Sequence, residues 1–254
     1  MREALAVSRA RLFWEQRRYD GVGAITNSHA PAHWQEAYLS AFRALVLQRL
    51  KRALGDVRLR RVVDLGCGPG EWTLRYLELA ERVVGLDVNL EFLEAARRTA
   101  AAAGCEDRTQ FLAGDMLAYD DYDEADLVCL GASVQYLDDD DLDALLARLA
   151  TAPPRGARLY VRTTLASPLR GSYHGNVGYF RTRGDYERRF ARQGLEIVDA
   201  CYSAAVLPAQ ALRDLLRLPP SWSERLAFPV WGLVCGFHAL SLQGLHHNWL
   251  LRKP

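Results

Sequence analysis

Short apolar runs rich in β-branched residues alternate with longer amphipathic stretches through the middle of the chain, beginning at Val62-Val63-Asp64-Leu65. Runs of this kind read as strands buried on both faces, and the stretches between them as crossover helices. The pattern predicts further strands at Arg82–Asp87, Thr109–Ala113, Ala125–Leu130, Ala157–Thr164 and Leu195–Tyr202, and a closing strand at His246–Arg252. Helices are predicted at Trp72–Leu79, Glu91–Ala103, Asp138–Ala150 and Asp185–Arg192. Gly104 stops the second of these, and an acidic first turn favours the third. The expected fold is α/β, a seven-stranded and mostly parallel sheet with helices on both faces.

On the N-terminal side, Leu39, Phe42, Leu45, Val46, Leu50 and Leu54 recur at helical spacing, which predicts a helix over Ala32–Leu54 ended by Gly55. Ala4–Tyr19 also has helical character, and Gly21–Ser28 is a glycine-punctuated loop. Ala204–Leu245 does not alternate; Pro208, Pro219-Pro220 and Pro229 break it into short apolar pieces. The predicted organisation is a helical cover at 1–55, an α/β core at 56–203, an apolar helical insert at 204–245 and a closing core strand at 246–254.

Composition narrows the function classes. With 254 residues, half of them hydrophobic and a quarter charged, the chain reads as an ordinary soluble domain with decorations. A net charge of +1 with no basic run gives no sign of a nucleic-acid surface. The five cysteines, Cys67, Cys105, Cys129, Cys201 and Cys235, form no C-x-x-C pair, and their odd number points to a reducing cytoplasm. Met1–Arg18 lacks the apolar core of an export signal. The longest apolar stretch, Leu226–Leu245, contains Pro229, His238, Ser241 and Gln243 and predicts no stable membrane span. Trp222, Phe228, Trp231, Phe237 and Leu240 make this insert suited to packing on the core. The same residues would also suit closing over an apolar substrate, a homodimer face or a membrane surface.

The strand at Val62 runs into Asp64-Leu65-Gly66-Cys67-Gly68-Pro69-Gly70, a turn at which a nucleotide-type ligand is expected. The dinucleotide fingerprint wants its third glycine where this chain has Glu71, a carboxylate that would repel a pyrophosphate. A ligand with cationic groups and no phosphate fits better. In these residues the chain resembles the class I, Rossmann-like S-adenosylmethionine-dependent methyltransferases over roughly 61–202 and again at 247–254. The resemblance implies that Asp64, Gly66, Cys67 and Gly68 hold the methionine end of S-adenosylmethionine. It implies that Asp87, 23 positions after Asp64, accepts from the ribose hydroxyls beside Val88. It places Asp115 and Met116 at the adenine, and Gly131 along the cofactor. As residue types alone, Asp64 also suits holding its loop, and Asp115 suits an Asx turn. Tyr19 and Trp34 suit either ligand contact or helix packing.

A sulfonium methyl is already activated, so an enzyme mainly has to align the acceptor and exclude water. A general base is needed only where the acceptor must lose a proton. Gly131-Ala132-Ser133-Val134-Gln135-Tyr136 stands where amino-methylating nucleic-acid enzymes carry Asn-Pro-Pro-Tyr. No metal cluster is expected: Pro31 separates His29 from His33, and His246 and His247 would point opposite ways on a strand. Substrate contacts are expected from Gln135, Tyr136 and Asn176. Catalytic contacts are expected from Tyr173, His174 and Tyr179 in the loop Ser167–Arg181, with His174 as proton acceptor. The expected activity is methylation of a small molecule in bacterial secondary metabolism. Two alternatives remain at this point. One is an enzyme of the same fold that cyclises the cofactor to azetidine-2-carboxylate and methylthioadenosine; the other is a non-catalytic binding subunit.

Overall fold

The strand carrying Val62 and Val63, β1 (Leu59–Leu65), is an interior strand, third of seven in the main sheet. In this computed structural model, residues 9–19, 32–166, 171–175, 177–202 and 246–253 are described. β2 (Ala80–Asp87) and β3 (Thr109–Ala113) run parallel on one side of β1; β4 (Ala125–Gly131) and β5 (Arg158–Thr164) run parallel on the other. β6 (Tyr173–His174) and β7 (Tyr179–Phe180) form a separate small hairpin. β8 (Glu196–Tyr202) is the far edge, and β9 (His246–Arg252) inserts antiparallel between it and β5. The order is therefore β3-β2-β1-β4-β5-β9-β8.

Among the described residues the α-helices are α1 (Arg9–Glu15), α2 (Ala32–Leu54), α3 (Glu71–Tyr76), α4 (Leu90–Ala102), α5 (Asp139–Thr151) and α6 (Arg183–Arg192). Successive residues of a strand face opposite ways. Val63, Leu65, Val128 and Leu130 pack with Leu142, Leu145, Leu146 and Leu149 of α5, whereas Val62, Leu127 and Cys129 pack with Val46, Leu47, Leu50 and Leu54 of α2. Covering both faces is what the uninterrupted apolar runs demand. At the β9 end, Trp249 is fully buried between Tyr186 and Phe190 of α6, with ring centroids 5.5 and 5.4 Å away, and its indole N–H donates to Glu187 Oε1 at 3.1 Å.

Two expectations are corrected. The helix expected to reach Leu79 ends at Tyr76, because the Leu79 carbonyl accepts from the Leu59 amide at 2.9 Å and draws the chain into the sheet early. The loop Ser167–Arg181 contains the β6–β7 hairpin, closed by Gly175 N–H donating to the Gly178 carbonyl at 2.7 Å. Strands of two residues leave no periodicity to read. Gly21–Ser28, Asn176, the 204–245 insert and Cys235 lie outside the described residues. The other four cysteines are free thiols, and no described helix is long and apolar enough to cross a membrane.

Replacing Trp249 by Ala is expected to cost about 3–5 kcal/mol and lower the melting temperature by roughly 10 °C. Trp249→Phe, which keeps most of the packing and loses the bond to Glu187, should cost about 1 kcal/mol by the same thermal melt.

Candidate ligand site at the sheet switch point

The chain leaves β1 toward β2 on one side and returns at β4 on the other, which opens a crevice at the carboxyl ends of these two strands. In open α/β sheets that is where ligands bind. The turn Gly66–Gly70 lines it. Gly66 has φ +77°, and a Cβ there would lie 2.6 Å from Ser133 Cβ and 3.2 Å from Met116 Cε. The turn is thus held against the exits of β3 and β4, and no larger residue fits. Ser133 reinforces the contact by donating to the Leu65 carbonyl at 3.0 Å.

Asp87 closes the turn from β2. Its Oδ2 accepts from the Gly68 amide at 2.8 Å and its Oδ1 from the Asn89 amide at 2.9 Å. Burial raises its pKa, and these backbone donors oppose the rise. Each oxygen keeps a further acceptor position. Asn89 is itself buried. Its Oδ1 caps α4 by accepting from the Phe92 amide, while its Nδ2 donates to the Trp14 and Arg17 carbonyls at 2.6 and 2.7 Å. These bonds seat α1 across the crevice, with the Trp14 ring edge-on to Tyr136 at 4.9 Å. From α1, Arg11 donates to Asp115 Oδ2 at 2.8 Å, and Asp115 Oδ1 accepts from the Leu117 amide at 2.9 Å in an Asx turn.

On the α2–α3 face of the sheet, Asp64 Oδ2 accepts from Thr73 Oγ1 at 2.6 Å. Burial lifts the Asp64 pKa to about 6 against the pull of Thr73 and Arg162. Glu71, expected to repel phosphates, is paired with Arg43, which reduces that repulsion. What still disfavours a phosphate is the six-residue length of α3, too short to build much of a helix dipole. Cys67 is buried with its pKa pushed well up by burial, so its thiol is a poor nucleophile.

The remaining residues singled out in the sequence fall around this crevice or beside it. Val88 follows Asp87, half-buried, and Met116 is half-buried under Gly66, with its carbonyl held by Arg148. Gly131 ends β4, and Ala132 beyond it holds φ at +60°. Gln135, expected to contact substrate, is buried and spends its Oε1 on Thr163 Oγ1 and the Thr164 amide, both at 3.0 Å. Burial raises the pKa of Tyr136. Tyr173 stacks on Phe180 at 5.1 Å, and His174 is exposed, edge-on to Tyr179 at 4.7 Å. Among the described residues no group of three His, Cys, Asp or Glu side chains is placed to hold a metal.

Sequence reasoning missed Thr73, Asn89, Arg11 and Arg162. Asn89 carried a signal, an Asn directly before a helical stretch. The others act across the fold and leave no local trace.

A doubly wound sheet with a glycine turn locked to a carboxylate at the end of β2 defines an α/β domain of the nucleotide-ligand type. Residues 62–153 match the family model of the methyltransferase domain. The trans-aconitate 2-methyltransferase of Rhizobium leguminosarum bv. trifolii is 30% identical over 156 residues, 60% of this chain. That alignment spans 58% of the Rhizobium protein. Among solved structures, geranyl diphosphate C-methyltransferase from Streptomyces coelicolor A3(2) superposes with a TM-score of 0.66 at 17% identity, covering 96% of this chain and 97% of that one. The [4+2]-cyclase SpnF superposes at 0.63 with 18% identity, over 91% and 86% of the two chains. Over residues 62–153 the chain is thus similar to the methyltransferase domain, and its fold is that of the solved geranyl diphosphate C-methyltransferase.

Gly66→Ala is expected to strain the turn by about 1–2 kcal/mol from the left-handed backbone alone, before the clash with Ser133. Thermal melts should show the loss. A variant as stable as the wild type would mean that the turn is not held as described.

Proposed function

We propose that the chain is an S-adenosylmethionine-dependent methyltransferase acting on a small molecule in bacterial secondary metabolism. The observation that carries this reading is the Asp87 carboxylate, fixed by the Gly68 and Asn89 amides and still able to accept on both oxygens. A ribose diol matches that acceptor pair. Asp64 and the Gly66–Gly68 turn would hold the amino-acid end, Val88 and Met116 would pack the nucleoside, and Gly131 would line the other wall. Asp115 joins the adenine side once its bond with Arg11 is shared or exchanged. When bound, the cofactor supplies a methyl group already activated on a sulfonium.

The protein's own part is to position an acceptor and keep water out. Trp14 over Tyr136 covers the nucleoside side. Tyr136 and the hairpin with Tyr173, His174 and Tyr179 form the proposed acceptor wall, and Gln135 fixes that wall to β5. His174 would take the acceptor's proton where one must leave. A reducing, cytoplasmic setting belongs to the same proposal, as does a homodimer built on the apolar insert; the absence of a basic run supports a small acceptor and not a nucleic acid.

The likeness to a [4+2]-cyclase keeps a non-methylating use of this fold open as a second reading, because fold alone does not fix chemistry. Methylthioadenosine released from the cofactor alone would favour cyclisation. Methyl transfer predicts none.

Calorimetry should show S-adenosylmethionine binding, weakened at least roughly tenfold by Asp87→Ala. Unchanged affinity would sink the reading. The pH dependence follows from Asp64, whose pKa in the free protein is about 6. A bound ammonium lowers that pKa, so binding expels a proton whenever Asp64 is protonated. Affinity is therefore full above about pH 6 and falls as the pH drops through that value. Asp64→Asn should flatten the slope, and a slope of opposite sign would count against this placement of the cation.

A further inference from the structure

Arg162 is a cation that the fold buries without a matching anion. It lies on β5, in register with Gly131 of β4 and Asn248 of β9, at the carboxyl end of the sheet. Its side chain crosses β4 toward β1, because a Cβ on Gly131 would meet its Nη2 at 2.8 Å. Only glycine clears this path. The guanidinium carbon then sits 4.2 Å from the Trp72 ring centroid on α3, beside the turn that follows β1.

Arg162 is 7% exposed, and its Nε is buried with no hydrogen-bond partner. The other arginine buried among the described residues, Arg181, is paired with Asp139, and the half-buried Arg43 and Arg49 are paired with Glu71 and Asp199. Arg162 takes part in no ion pair among the described residues. A guanidinium cannot shed its proton, so burying one unpaired is costly. Asp64 is the carboxylate whose field reaches it, yet Asp64 is bonded to Thr73. The contrast with Asp121 and Asp139 is informative: arginine partners hold those two carboxyls below their usual range, whereas Asp64 is raised. Arg162 and Asp64 are near each other and are not a tight pair.

We propose that Arg162 is the recognition residue for a carboxylate of a bound small molecule, gripped by the guanidinium fork at the switch point. The inference rests on the methyltransferase reading for what occupies the crevice. The carboxylate is either the amino-acid group of the methyl donor or an acid group on the acceptor. A monoanion suits the place better than a phosphate, since Asp64 and Asp87 stand close together at the same switch point.

The full chain, as wild type, Arg162→Gln and Arg162→Lys, is titrated with S-adenosylhomocysteine and with 5′-methylthioadenosine, which shares the nucleoside and lacks the carboxylate. Citrate is then added as a free polycarboxylate and followed by thermal shift. If the donor supplies the group, Arg162→Gln weakens S-adenosylhomocysteine at least roughly tenfold and leaves methylthioadenosine unchanged, which also proves the variant folded. If the acceptor supplies it, S-adenosylhomocysteine binds equally and the citrate shift disappears in the variant. Arg162→Lys keeps the charge and loses the fork; the same pattern at smaller amplitude is expected, and it serves if the Gln variant does not fold. Equal responses of wild type and variants to all three probes overturn the assignment. A wild type that binds neither adenosyl compound yet keeps an Arg162-dependent citrate shift would reject the methyltransferase reading and uphold the carboxylate site.

Discussion

The bond from the Gly68 amide to the Asp87 carboxylate is the constraint on which the site depends. It joins the turn after β1 to the end of β2. Through Asn89, the next residue but one, the same junction caps α4 and holds the far end of α1. A buried carboxylate is expensive unless hydrogen-bonded, so the backbone donors that satisfy Asp87 also fix where it points. Gly66, pressed against Ser133, supplies the close approach that lets these parts meet.

Charge at the switch point is arranged unevenly, and the unevenness has a direction. Glu71 is answered by Arg43 and Asp115 by Arg11, while Asp64 is answered by a hydroxyl and Arg162 by an aromatic face. A half-satisfied buried cation and a half-satisfied buried carboxylate in one crevice suit a ligand carrying both charges. They also suit two ligands carrying one each. Either way, charge is left unspent within the protein where a ligand can use it.

The glycine turn and the carboxylates at 64, 87 and 115 stand out in the sequence because each lies within, at the end of or just after an apolar run. Asp115 shows the limit of that reading. Both proposed uses, a local Asx turn and a ligand contact, fit the sequence; the structure realises the turn and adds Arg11, a partner 104 positions away. Glu71 is a second case, since nothing near it in the chain announces Arg43 as the group that meets its charge. Gln135 is a third: a polar residue at the end of β4 resembles a ligand contact, and its acceptor is consumed by β5.

By itself the sequence determined the alternation of strand and helix, and it placed the helix over Ala32–Leu54 and the closing strand at His246–Arg252 where the structure has them. Apolar periodicity and caps are local, and burial on one or both faces writes them into neighbouring residues. The tertiary structure alone decided the sheet order, with β9 inserted between β5 and β8, and the partners of each buried charge. Those partners lie far apart in sequence, so only the packing of distant elements brings Arg162 over Trp72 or Arg11 onto Asp115.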